Sequence, residues 1–170
     1  TLAYALPKGD KVELVAQKAT ELGVHQLLLF ESKRSVAKWD AKKAPKKVER
    51  LQKIMQEAAE QSYRAIVPTC SYISSRELSR QLETYDAVVV AYEEEAKQGE
   101  EAAFATVLQA LRPGAKLLLI VGPEGGFDEG EVIEWTERGA QACAFGPRIL
   151  RSETAPLYAL AAISYALELT

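Results

Sequence analysis

The sequence predicts one α/β domain: a parallel sheet with helices on both faces. Short apolar runs with strand character alternate with segments of helical periodicity throughout the chain. Two of those runs, Leu117 to Val121 and Ala140 to Phe145, each lead into a loop rich in glycine or arginine. Such loops leave the carboxyl ends of strands, where open α/β sheets place their ligands. At 170 residues, the chain is also long enough to bury a real core without disulfides or metal.

The elements follow in order. Leu2 to Leu6 reads as a strand, and Pro7-Lys8-Gly9-Asp10 as a turn whose Asp10 caps the next helix. Val12, Val15, Ala19 and Leu22 keep helical spacing, and Gly23 closes that helix. His25 to Phe30 is a second strand, with His25 a strand-start residue. Glu31 to Ala44 is a basic loop holding one aromatic, Trp39. Pro45 starts a helix with an apolar stripe at Val48, Leu51, Met55, Ala58 and Ala59, running to about Tyr63. Ile66 to Ile73 is a short strand broken by Pro68, and Ser74 or Ser75 caps a small helix through Leu82. Asp86 to Tyr92 is strongly β-like, Glu93 to Glu101 is an acidic loop, and a helix follows to Leu111. Arg112-Pro113-Gly114 turns into the strand Lys116 to Val121. Asp128 to Arg138 is a helix with acids in its first turn, packed on the sheet by Trp135 and ended by Gly139. Ala140 to Phe145 is the last strand. The last helix, Thr154 to Glu168, is apolar nearly all round and is expected to be buried on most sides, with a subunit interface as one such place.

Composition narrows the class. Apolar residues make up 48% and charged residues 26%, as in a soluble globular protein. No apolar run approaches the roughly 18 residues that span a bilayer, so a cytoplasmic protein without a membrane partner is expected. Cys70 and Cys143 stand far apart in apolar contexts and read as buried thiols. With His25 the single histidine, no metal cluster forms from sequence spacing. The chain opens on Thr1 with strand-like residues, so a preceding segment is expected in the natural protein. Net charge is -3, yet residues 31–53 carry nine basic and three acidic residues, +6 in all, leaving -9 elsewhere. That asymmetry fits either a local polyanion contact or a solvated lysine-rich loop and helix face.

The loop Gly122-Pro123-Glu124-Gly125-Gly126-Phe127 lacks the Lys and Ser/Thr of a phosphate-binding P-loop, and no GxGxxG follows the first strand. Its glycines fit a tight turn, or a backbone that approaches a flat ligand closely. In Arg148-Ile149-Leu150-Arg151-Ser152-Glu153-Thr154, two arginines flank an apolar pair beside a helix start. Arginine there suits carboxylate or phosphate; the plainer reading is capping by Ser152 or Thr154 with an Arg151–Glu153 surface pair. Glu57, Gln61 and Arg64 share one helix face by spacing, functional or merely polar. Trp39 either stacks on a base or anchors its loop.

Five segments together resemble the RsmE family: Lys18-Ala-Thr-Glu-Leu-Gly-Val24, Arg34-Ser35, Glu57-Ala-Ala-Glu-Gln-Ser-Tyr-Arg64 with Val67-Pro68, Val121-Gly-Pro-Glu-Gly-Gly-Phe127, and Arg148-Ile-Leu-Arg-Ser-Glu-Thr-Ala155. That family belongs to the SPOUT superfamily and methylates uridine N3 in small-subunit ribosomal RNA. The departures are small: Phe145 precedes the glycine where Leu is expected, and Ser152 stands where Thr is common. The resemblance covers nearly the whole chain. It implies that residues 1–170 form the methyltransferase domain, without the small PUA-like RNA-binding domain that usually precedes it. It also implies a deep trefoil knot near the C-terminus, S-adenosylmethionine bent within it, and a homodimer through the C-terminal helix.

By position, the resemblance assigns Ala91, Tyr92, Glu93, Val121, Gly122, Gly125, Gly126, Phe145, Gly146, Ile149, Leu150 and Thr154 to the cofactor. It makes Arg151, and less directly Arg148, face the cofactor carboxylate or the target nucleotide, with Glu124 a candidate base by loop position. Arg34, Lys38, Trp39, Gln61 and Arg64 are then candidates on the RNA side. The rival reading is a non-catalytic RNA-binding or ribosome-assembly module that uses the basic Glu31–Lys53 segment.

Overall fold

The computed structural model describes residues 1–93 and 103–169. Six strands form one sheet: β1 (Leu2–Ala5), β2 (Gln26–Phe30), β3 (Thr69–Tyr72), β4 (Ala87–Ala91), β5 (Leu117–Val121) and β6 (Gln141–Cys143). Their order is β3-β2-β1-β5-β4-β6, and every pairing is parallel. The helices are α1 (Lys11–Glu21), α2 (Lys43–Gln61), α3 (Ser75–Gln81), α4 (Ala103–Ala110), α5 (Glu129–Glu137) and α6 (Thr154–Glu168). The acidic loop expected at Glu93 to Glu101 lies, beyond Glu93, outside the described residues.

The strand sequences explain the two-sided sheet. Side chains alternate across a strand, and here both sets are apolar. Leu2, Tyr4, Leu119 and Val121 join the core cluster that contains Val12, Val15, Leu51, Met55, Phe104, Val107 and Leu160, from α1, α2, α4 and α6. Ala3, Ala5, Leu118 and Ile120 join a second cluster with Leu78, Leu82, Val132 and Trp135, on the α3 and α5 side. The sheet runs outward from β1 one way and from β5 the other. Tyr4 pairs with Val121 at this junction, where ligands gather in such folds.

Local signals set most boundaries. Ser74 and Glu77 form a capping box on α3, and Asp128 and Glu131 form another on α5. Three expectations need correction. Asp10 makes no side-chain cap bond, because its backbone (φ -93°, ψ 11°) is not the extended one that aims a cap at N3. Pro45 does not start α2: Asp40 Oδ1 accepts the N–H groups of Lys42 and Lys43 and begins the turn earlier. Pro45 sits in the first turn, where no N–H is needed. Neither Ser152 nor Thr154 caps α6; its N-cap is Glu153, with no side-chain bond.

In α6, Pro156, Ala159 and Leu160 are buried, while Tyr158, Tyr165 and Leu167 are 42%, 62% and 47% exposed. Within one chain the helix is therefore covered on one face, not on most sides. Cys70 and Cys143 are both buried and free. Among the described residues no helix is long and apolar enough to cross a membrane, and no His, Cys, Asp and Glu cluster could hold a metal.

Candidate active site

A cavity of about 480 Å³ opens at the carboxyl ends of β4, β5 and β6, within the usual range of small-ligand sites. Each wall follows from the residue that leaves a strand. After β5, Gly122 is crowded: a Cβ would meet the Gly126 carbonyl carbon at 3.3 Å and Phe127 Cε2 at 3.4 Å, so the loop would have to give way to it. Gly126 turns with φ +66°, and its N–H donates to Pro123 O at 2.9 Å. The loop is thus both a tight turn and a wall without side-chain bulk. Phe127 then anchors it, buried against Trp135 and Phe30.

The second wall is the loop after β6. Phe145 is buried on Phe104, Gly146 takes φ +84°, and Arg148, Ile149, Leu150 and Arg151 line the cavity. Ile149 is 69% exposed. Ala91, Tyr92 and Glu93 complete the cavity from β4, and the Tyr92 N–H donates to Cys143 O. Val121, Gly122, Glu124 and Gly126 also line it.

Two residues expected at the cofactor stand outside this lining. Gly125 faces away, and its carbonyl accepts from Arg34 Nη1 at 3.1 Å. Thr154 begins α6 behind the loop, its N–H donating to Arg151 O.

The charges divide into committed and free. Lys11 Nζ lies 2.8 Å from Glu124 Oε1 and 3.3 Å from Glu153 Oε2. The Lys8 N–H also donates to the Glu124 carboxylate. Burial pushes the Glu124 pKa up, but Lys11 and nearby backbone N–H groups outweigh it, so the carboxyl ends below its ordinary value. A carboxylate held in this way is a poor proton acceptor, which moves Glu124 from candidate base to loop support. Arg148 and Arg151 are exposed, and among the described residues their side chains have no ion-pair partner. The expected Arg151–Glu153 pair is not formed; Glu153 pairs with Lys11.

The residues expected on the RNA side separate. Arg34 lines the cavity rim, and neighbouring Lys33 pairs with Asp128 at 2.9 Å. Lys38 is exposed on the same basic loop. Trp39 anchors that loop: it is half-buried, its ring is 5.5 Å from Tyr72, and Lys47 Nζ lies 5.1 Å above it. Gln61 and Arg64 lie at the other end of the sheet. Arg64 Nη1 donates to Thr20 O at 2.9 Å and Val24 O at 2.7 Å, satisfying the carboxyl end of α1. They do not join the cavity. Lys11 and Glu153 were missed by sequence reasoning, since only the β1–β5 adjacency brings Lys11 to these loops.

A parallel α/β domain that closes two strand-end loops over a small-molecule cleft is the class these features define. A family model described as RNA methyltransferase domain matches residues 1–164, and the chain belongs to that family. Over 169 residues it is 53% identical to "Ribosomal RNA small subunit methyltransferase E" of Bacillus subtilis (strain 168), covering 99% of this chain and 66% of that protein. The crystal structure of a ribosomal RNA small subunit methyltransferase E from Neisseria gonorrhoeae, bound to S-adenosyl methionine, is 33% identical. It superposes with TM-score 0.82 over 96% of this chain and 65% of that one. The A. aeolicus TrmH/SpoU tRNA modifying enzyme shares the fold, at TM-score 0.54 and 14% identity over 96% of this chain and 74% of that one. The motif resemblance to RsmE proteins is borne out. The chain spans just under two thirds of the length of the Bacillus and Neisseria relatives.

Proposed function

We propose that this chain carries out S-adenosylmethionine-dependent methylation of uridine N3 in small-subunit ribosomal RNA, in the cytoplasm. The observation that carries the reading is the cleft itself, walled by the two motifs that mark the resemblance and sized for one small molecule. Its fit to the cofactor rests on three features. Gly122 packs against Gly126 and Phe127 too closely to carry a Cβ without displacing them, which keeps that wall as bare backbone. Val121, Cys143, Ala144 and Phe145 give an apolar floor for a flat base. Exposed arginines at the mouth suit a carboxylate.

When bound, the cofactor supplies an electrophilic methyl group on a sulfonium. The protein's part is to orient and to stabilise charge. Losing the uridine N3 proton leaves negative charge on the flanking carbonyl oxygens. Arg151, exposed and without an ion-pair partner among the described residues, is the donor assigned to that charge, worth about 3 kcal/mol. Arg148 supports it from the same loop. Arg34 and Lys38 present the basic loop to the RNA backbone at the rim.

The uncovered Tyr158 and Tyr165, seven positions apart on one face of α6, support a homodimer through the C-terminal helix. Calorimetric titration of S-adenosylhomocysteine, the demethylated product, tests the whole reading. Saturable binding at about one per protomer, abolished by Gly126→Arg, is expected. A folded sample that binds RNA but no S-adenosylhomocysteine overturns the reading in favour of the non-catalytic RNA-binding module.

A further inference from the structure

We propose that Lys11 is a positioning residue that holds the two cleft loops in their cofactor-ready arrangement before the cofactor arrives. This rests on the S-adenosylmethionine reading of the cleft and adds a residue remote in sequence from either motif. The two loops leave different strands, β5 and β6, and their backbone turns close within themselves: Gly126 N–H to Pro123 O in one, Thr154 and Ala155 N–H to Arg151 O in the other. Lys11, from the first turn of α1, reaches both. Its ammonium binds Glu124 of the glycine loop at 2.8 Å and Glu153 of the arginine loop at 3.3 Å. The Lys8 N–H adds a second hold on Glu124. The three side chains are each between 22% and 31% exposed, so the cluster is partly shielded from water and forms a network, not an isolated surface pair.

Among the described residues, the second loop has no polar hold from the end of β1. Tyr4 stands at the end of β1, fully buried, and its hydroxyl has no hydrogen-bond partner among the described residues. Ser152 is near enough to offset part of the burial that pushes the Tyr4 pKa up, but the pair does not reach hydrogen-bond geometry. Ser152 Oγ instead meets Glu153 Oε2 at 3.3 Å. Lys11 is therefore the polar tie between the loop that carries Arg151 and the glycine loop.

Such a tie acts on the population of cofactor-ready chains. If the ready fraction falls, apparent affinity falls in proportion. Once the cofactor itself bridges the loops, the tie matters less. The loss in a variant should thus fall on KM for the cofactor more than on kcat.

The experiment compares native chain, Lys11→Met and Lys11→Arg. Calorimetry with S-adenosylhomocysteine should show Kd raised about tenfold in Lys11→Met and restored to within about threefold in Lys11→Arg. Lys11→Met on a Glu124→Gln background should cost much less than on the native one, since both remove one interaction. Hydrogen exchange without ligand should be faster across residues 122–126 and 148–153 in Lys11→Met, with thermal unfolding showing that the fold is kept. Native-like affinity in Lys11→Met, or additive losses in the double variant, overturns the proposal. A native chain that binds no S-adenosylhomocysteine overturns the cofactor reading instead. Loop exchange in Lys11→Met then decides the tie by itself: acceleration supports it, and native rates overturn it.

Discussion

Phe127 and Trp135 meet edge to face, ring centroids 5.0 Å apart and planes at 88°. Phe127 ends the glycine loop; Trp135 is 1% exposed and hydrogen-bonded through Nε1 to Ser79 Oγ. The wall of the cleft is therefore bolted to the core on the α5 side of the sheet. Trp135→Ala should cost about 3–5 kcal/mol of stability, read by urea unfolding. It should also weaken S-adenosylhomocysteine binding in the fraction that stays folded. A loss below about 1 kcal/mol would show that Phe127 is held by other contacts.

On the proposed reading, Arg151→Ala separates turnover from affinity. The Arg151 backbone carbonyl starts α6 by accepting two N–H groups, which any residue can do, while its exposed side chain has no ion-pair partner among the described residues. Arg151→Ala should lower turnover on RNA by about a hundredfold and change cofactor Kd far less. Single-turnover kinetics beside calorimetry measures both. An unchanged rate removes Arg151 from the chemistry.

Cys70 gives a pH signature. Burial pushes its thiol from an ordinary 9.0 up to about 12. The folded state thus prefers the neutral thiol, and this contribution to stability is intact below about pH 9 and lost as pH rises toward 12. A disulfide reagent at pH 8 should leave Cys70 unmodified in the folded chain and modify it on unfolding in urea. Rapid modification of Cys70 in the native state would contradict its burial.

Which parts of the site were readable depends on the range of the interactions that make them. The glycine and arginine loops were legible because each follows directly from an apolar strand, and the Ser74 cap because it needs only a residue three positions on. Lys11 was not legible: its partners lie 113 and 142 positions along, and only strand order brings them together. Arg64 misled for a related reason. Helical spacing shows that Gln61 and Arg64 share a face, but not which end of the sheet that face reaches. Its guanidinium was needed by the last carbonyls of α1. The α6 sequence is apolar nearly all round, but that pattern does not say which partner covers each side.

The place of β1 in the sheet has a consequence for synthesis. Its two neighbours are β2, close by in the chain, and β5, whose Val121 pairs with Tyr4. While the chain emerges, β1, β2 and β3 can pair early, but one edge of β1 stays open until residues 117–121 are made. Contacts of such long separation slow folding, and an open apolar edge in that interval invites pairing with other chains. The cleft loops at 122–127 and 144–153 come later still, so a ribosome that releases this chain early releases a half-sheet with no cavity at all.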